Sequence, residues 1–331
     1  MKRILCLMLC ALMMTLVCAC GKDNNDNDTA TPTQAEPETA AQQTQAPATP
    51  DQSGDTLGLK SFIAGFDTAP TVAETVIYED KDFTVTVAGL DYSAISGPGL
   101  KLTVNNASAK DVIVQSPYAV VNGFMISPEI SIEAAAGKTA TGTLTLPYFN
   151  LAISGITSLR TIEFALRVVE SNSYEPIFKT DLFSLTASSA QDPETACDES
   201  GQTAYDDNDI KIILKGVSTD RAYSDGAELM VYLYNGTDRN IAVRTGDVIV
   251  NGYDMTSAMN CTILPDKCAV DVVTFYTLDM EEFGIDEIDS VKVSFEIKDA
   301  ENWETIDSTG LINVELDQAE TATESESEKA E

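Results

Sequence analysis

Apolar and polar residues alternate through most of the chain between about residues 74 and 316. Phe83, Val85 and Val87 fall on one side of an extended segment, as do Ile162, Phe164, Leu166 and Val168. The pattern returns at Ile210, Ile212 and Leu214, and again at Val291, Val293, Phe295 and Ile297. Successive side chains of a strand point to opposite faces, so period two over such lengths predicts half-buried β-strands.

The strands come in two matching sets. Val121-Asn122-Gly123-Phe124 recurs as Val250-Asn251-Gly252-Tyr253. The same register carries Gly137-Lys138 onto Asp266-Lys267, Gly155-Ile156 onto Gly284-Ile285 and Tyr174 onto Trp303. Upstream, allowing for loop differences, Asn105-Asn106-Ala107-Ser108 aligns with Asn235-Gly236-Thr237-Asp238, and Tyr78-Glu79-Asp80 with Tyr205-Asp206-Asp207. A fixed-period likeness of this kind marks a duplicated domain. About seven or eight strands per copy, with turns roughly every ten residues, predict an all-β fold of two tandem antiparallel β-sandwich domains of immunoglobulin-like type. A closed barrel is the alternative. The Asn-rich segments read as hairpin turns. The stretch from Leu278 to Phe283, with its counterpart from Pro147 to Ala152, reads as a short helical turn crossing between sheets and ended by Gly284 or Gly155. Domain one is placed at residues 58–188 and domain two at 202–317, with a polar linker at 189–201.

The ends of the chain have a different composition. Met1-Lys2-Arg3 is followed by the apolar run from Ile4 to Val17, too short to span a bilayer comfortably, since that takes about 20 residues. Leu16-Val17-Cys18-Ala19-Cys20 resembles the bacterial lipobox. The resemblance implies a signal peptide at residues 1–19 and a diacylglyceryl-modified Cys20 that anchors the mature chain to the extracellular face of the cell membrane. Residues 20–57 are rich in Asp, Asn, Thr, Gln, Ala and Pro, and predict a disordered tether; residues 318–331 predict a disordered acidic tail. Asp23-Asn24-Asn25-Asp26-Asn27-Asp28 resembles half a calcium loop but lacks its Gly and closing Glu, so it reads as solvated linker.

Charge and composition then narrow the chemistry. Fifty-three acidic against 20 basic residues give a net −33, which opposes any nucleic-acid role, because phosphates must be met by Lys and Arg. There is no histidine, so the commonest general base and metal ligand is missing. No catalytic residue, metal ligand or cofactor site is predicted. Cys261 and Cys268 flank Thr262 to Lys267, which reads as a loop between two antiparallel strands; a cross-strand disulfide between them is expected in an oxidising compartment. Cys197, in the linker, is left as a free thiol. Asn122 and Asn251 read as turn residues that tolerate positive φ, with ligand binding by their amides as the alternative. Tyr174 and Trp303 read as rings packed on a hairpin, with carbohydrate stacking as the alternative.

Each copy thus runs through a strand, an Asn-rich turn, a strand ending in Val-Asn-Gly-aromatic, a turn before Lys, Gly-Ile, and a long strand closing near an aromatic. This resembles the uncharacterised tandem domains on surface lipoproteins of Gram-positive anaerobes and, more distantly, the immunoglobulin-like fold of small secreted mycobacterial antigens. The resemblance implies fold and location, and carries no activity. The function expected is non-catalytic binding or scaffolding at the cell surface, its partner an unidentified protein or wall component. The alternatives are a solute-binding lipoprotein of a transporter, which requires alternating β and α segments, and a glycosidase built on two carboxylates. Oligomeric state has no signature in the sequence.

Overall fold

The computed structural model describes residues 59–188, 197–218, 226–257 and 259–316. Cys20, the signal segment, the tether and the acidic tail lie outside the described residues, as do most of the residues assigned to the linker. The described part is all-β, with short helices at the layer crossings.

In the first copy, α1 (Leu59–Gly65) precedes β1 (Thr75–Glu79), β2 (Phe83–Asp91), β3 (Gly99–Asn106), β4 (Val112–Gln115), β5 (Ala119–Val121), β6 (Phe124–Ile126), β7 (Ile132–Ala134) and β8 (Lys138–Thr145). Then come α2 (Tyr148–Ile153), β9 (Thr161–Phe164), β10 (Arg167–Glu170), β11 (Pro176–Lys179) and β12 (Phe183–Thr186). The second copy holds β13 (Gln202–Asp207), β14 (Ile210–Ser218), β15 (Gly226–Asn235), β16 (Ile241–Val250), β17 (Tyr253–Asp254), β18 (Asn260–Ile263), β19 (Lys267–Tyr276), α3 (Thr277–Glu282), β20 (Val291–Asp299), β21 (Thr305–Ser308) and β22 (Ile312–Asn313).

The alternation seen in the sequence places the core. Val85 and Val87 of β2 and Leu102 and Val104 of β3 join Val112, Val114, Val121, Ile162 and Phe164 from the facing layer in one buried cluster. Burying each such side chain stabilises the fold by about 1.5–3 kcal/mol. Ile212, Leu214, Val231, Val243, Val293 and Phe295 do the same in the second copy. The predicted crossing turns are α2 and α3; Gly155 and Gly284 follow them at φ +67° and +66°, the left-handed conformation in which glycine closes a helix. The helix α1 has no precedent in the periodicity. Its Phe62 meets Tyr148 of α2 edge-on, with ring centroids 6.4 Å apart.

The Asn-rich turns are not hairpins. β3 pairs with β2 and β8, whereas β4 pairs with β10 and β7, so the chain from Asn106 to Val112 arches from one layer to the other. The amide is used as a hydrogen-bonding hub. Asn106 Nδ2 donates to the carbonyls of Lys110 (2.8 Å) and Ala134 (2.9 Å), and its Oδ1 accepts from the N–H and hydroxyl of Ser108. Asn235 repeats every one of these bonds with Arg239, Ile263 and Thr237. The structural equivalent of Asn235 is therefore Asn106, not Asn105, and the register of the repeat holds one arch further upstream than the sequence alignment places it.

The copies differ in one layer. In the second, β16 and β20 run through as long strands, with a bulge between Thr245 and Val248. In the first, the corresponding chain is broken into β4 and β5 around Pro117, and into β9 and β10 around Ala165 and Leu166. Proline donates no ladder hydrogen bond and interrupts a strand; Gly246 stands at its place in the second copy. The break sets the β5–β6 hairpin apart from β4, and β5 and β6 join a sheet of the other copy. One eight-stranded sheet runs in the order β12-β9-β5-β6-β19-β15-β14-β13, through both copies.

Candidate functional site

The join between the copies is where the chain departs most from a simple tandem. β6 lies parallel to β19, with Phe124 opposite Cys268 and Met125 opposite Ala269, and the Cys268 N–H donates to the Gly123 carbonyl at 3.2 Å. Side chains opposite one another in a sheet share a face. Phe124 and Cys268 face the first copy's core, together with Ile213 and Tyr232; Val120, Met125 and Ala269 face the second copy's core. A single sheet thus serves one core from each of its faces. Lys267 and Glu163, each about one-fifth exposed, pair across the join at 2.8 Å.

Two clefts flank the join. The larger, about 460 Å³, is lined by Phe124, Ser154, Asp198, Lys215 and Tyr232. The smaller, about 260 Å³, is lined by Tyr118, Met125, Asn260, Cys261 and Asp271. Asp271 lies on the core-facing side of β19 and lines this cleft. Burial pushes its carboxyl up to about 6, opposed by the hydrogen bond that it accepts from the Val272 N–H at 2.9 Å. Burial and the nearby Asp271 charge also raise the Cys261 thiol well above its ordinary value, so that thiol stays protonated. The first copy has Gly142 and Ile132 at these positions, and a Cβ on Gly142 would stand 2.5 Å from Ile132 Cγ1. Exchanging Ile and Gly for Cys and Asp turns a packed contact into a cleft with an acid in its wall. Such a carboxyl can exchange a proton near pH 6 or accept a hydrogen bond from a ligand donor. Sequence reasoning missed it, because an acid at an inward strand position looks like one more of many.

The residues singled out in the sequence are dispersed. Asn122 and Asn251 have φ 50° and are followed by Gly123 and Gly252 at φ +94° and +87°, as tight hairpins require. Their amides brace the structure: Asn122 Nδ2 donates to the Ser158 carbonyl at 2.8 Å while Oδ1 accepts from the Arg160 and Thr161 N–H groups. Asn251 does the same with Glu287, Asp289 and Ser290. Cys261 and Cys268 are not brought together, and both are free thiols, as is Cys197. The segment joining them is an arch, with β18 paired to β16 in one layer and β19 to β15 in the other, so the two side chains have separate surroundings. Tyr174 and Trp303 are 60% and 50% exposed rather than packed on a hairpin, each in a positive-φ turn whose N–H donates to the Glu170 or Asp299 carbonyl. Among the described residues, no group of three or more Cys, Asp or Glu converges in a metal-binding arrangement.

No protein-family model matches the chain, and no curated protein does so either. Solved structures give distant likenesses. The YadV chaperone is 16% identical over 65% of this chain and 92% of its own, with a TM-score of 0.22. A DUF4785 family protein from Legionella pneumophila is 16% identical over 72% of this chain and 59% of its own, at 0.24. A protein of unknown function from Porphyromonas gingivalis W83 is 13% identical over 71% and 90%, at 0.19. Scores at this level carry no argument about what the chain does.

Proposed function

We propose that the chain is a lipid-anchored extracellular protein whose two immunoglobulin-like domains bind or scaffold at the cell surface without catalysis. The observation that carries this reading is the shared sheet. Copies made to act separately are joined by linkers that leave them free to move, whereas a sheet continued through both, with apolar contacts on each face, fixes their spacing and orientation. A rigid pair suits presentation of a surface to a partner. The equivalent exposed rings of Tyr174 and Trp303, each set in the same kind of turn, are where contact with a protein or a wall polysaccharide is expected, since aromatic rings exposed on a fixed backbone contribute area at low entropic cost.

Anchorage rests on Leu16 to Cys20. Two acyl chains hold a protein on a bilayer where one holds it only marginally. Fractionation of cells expressing Cys20→Ala should move the protein from the membrane to the medium; retention in the membrane fraction would show that the lipobox is misread. For the binding role, the signal-free chain is used as bait on wall fractions. A retained partner should be lost from the Tyr174→Ala, Trp303→Ala double variant, and undiminished retention by that variant would remove the rings from the interface.

A further inference from the structure

The last residues of the segment between the copies are strapped onto the outer face of the second copy. Lys215 Nζ pairs with the Asp198 carboxylate at 3.0 Å and donates to the backbone carbonyls of Asp198 and Ser200, both at 2.6 Å. Lys211 pairs with Glu199 at 2.6 Å. Gly201 has φ +124°, and a Cβ there would stand 2.4 Å from the Leu214 carbonyl oxygen, so the segment lies backbone to backbone on β14. The Lys215 ammonium sits 5.8 Å above the Tyr232 ring, and the Tyr232 hydroxyl donates to Cys268 Sγ at 3.3 Å. Asp198, Lys215 and Tyr232 line one cleft, so the strap brings the exposed Cys197, next to Asp198 in the chain, to the side of the sheet on which the Tyr232 hydroxyl bonds Cys268 Sγ.

We propose that Cys197 and Cys268 form a disulfide that clasps the interdomain segment to the shared sheet, at the strand that joins the copies. Cys268 carries the N–H bonded to Gly123 of the first copy, so the clasp fastens the linker to the join itself. The oxidant is a low-molecular-weight or protein disulfide. The Cys197 thiolate, which alone is exposed, attacks one sulfur of that disulfide, forming a mixed disulfide and releasing one thiolate. Cys268 then loses its proton to solvent and attacks Cys197 Sγ, forming the Cys197–Cys268 bond and expelling the second thiolate. Two protein thiols are oxidised and one external disulfide is reduced to two thiols. Burial and the neighbouring Cys197 hold the Cys268 thiol up at about 12, while the Tyr232 hydrogen bond works the other way and favours its thiolate. The second step is therefore the slow one, and Tyr232 assists it.

The test is non-reducing peptide mapping of the lipidated mature protein in detergent after exposure to oxidised glutathione. The expected product joins the Cys197 and Cys268 peptides, with mass lower by the two hydrogens lost, and leaves Cys261 open to alkylation once the protein is unfolded. Tyr232→Phe should slow closure several-fold and let the glutathione adduct on Cys197 accumulate. Lys215→Gln, which loosens the strap without touching either sulfur, should slow it too and serves if the first variant folds poorly. A stable adduct on Cys197 of the unsubstituted protein, with Cys268 still alkylatable after unfolding, would overturn the proposal. So would a bond between Cys268 and Cys261, or between Cys197 residues of two molecules.

Discussion

The outer faces of two equivalent sheets show what the duplication changed. In the first copy, Thr103, Asn105, Thr139 and Thr141 look outward from β3 and β8 and meet solvent to varying degrees. Their counterparts on β15 and β19 of the second copy are Tyr232, Tyr234, Cys268 and Val270, buried or half-buried against the first copy. The inward faces of the same strands are alike apart from Asp271 in place of Gly142, because both have a core to fill. What distinguishes the copies is a row of Thr and Asn on one face replaced by Tyr, Cys and Val. The difference teaches that the join is built mainly by converting one water-facing sheet surface into a contact surface, with the parallel β6–β19 pairing to set its register.

Substitutions at equivalent positions can break that comparison. Tyr232→Ala should cost about 3–5 kcal/mol, since it leaves a cavity in a contact surface with a full buried ring. Thr103→Ala, at the same place in the first copy, should stay within about 0.5 kcal/mol. Urea unfolding of both variants checks this, and equal costs would mean that the face of the second copy is not a true contact. Asp271 sharpens the comparison through pH, because Gly142 gives the first copy nothing to titrate. With the folded carboxyl at about 6 and the unfolded one near its ordinary value, the folded state holds the proton more tightly in between. That contribution is fully present below about pH 4 and is lost as pH rises through about 6, by up to about 3 kcal/mol. Asp271→Asn should flatten this slope and be the more stable protein at pH 7, as thermal melts across pH 4 to 8 would show; an unchanged slope would place the titration elsewhere. A further effect is expected to be shared by both copies. Asn106→Ala and Asn235→Ala each leave buried carbonyls without donors and should cost about 1–3 kcal/mol apiece, the same in both copies to within error; a large inequality would mean that the two arches are not equivalent.

The sequence made legible whatever is local. Alternation at Phe83, Val85 and Val87 located a strand, and the recurring Val-Asn-Gly-aromatic run located the same hairpin twice, because strand burial and tight-turn backbone leave marks on neighbouring residues. Connections between layers leave none. An arch and a hairpin use the same Asn, Gly and Ser, so Asn106 reads as a turn residue, although its work is done by a side-chain amide bonded to a strand many residues away. The Cys261–Cys268 pairing failed for the same reason: closeness along the chain says nothing about which sheet each strand enters. The join was least legible. Met125 and Ala269 belong to different copies, and their adjacency depends on a break at Pro117 whose consequence lies far downstream. Asp271 stood unmarked among 53 acids, since only its cleft distinguishes it.

The shared sheet also sets an order in time. A ribosome adds about 5–20 residues per second, so roughly seven to thirty seconds separate the synthesis of Met125 from that of Ala269. Even once β12 has been made, the first copy's core lacks Ile213, Tyr232 and Cys268, Val120 and Met125 lack the neighbours that cover them, and the β6 edge has no partner. An uncovered strand edge beside apolar side chains invites pairing with the wrong chain. The second copy is therefore also a cover for the first, closing the β6 edge and the apolar side chains beside it.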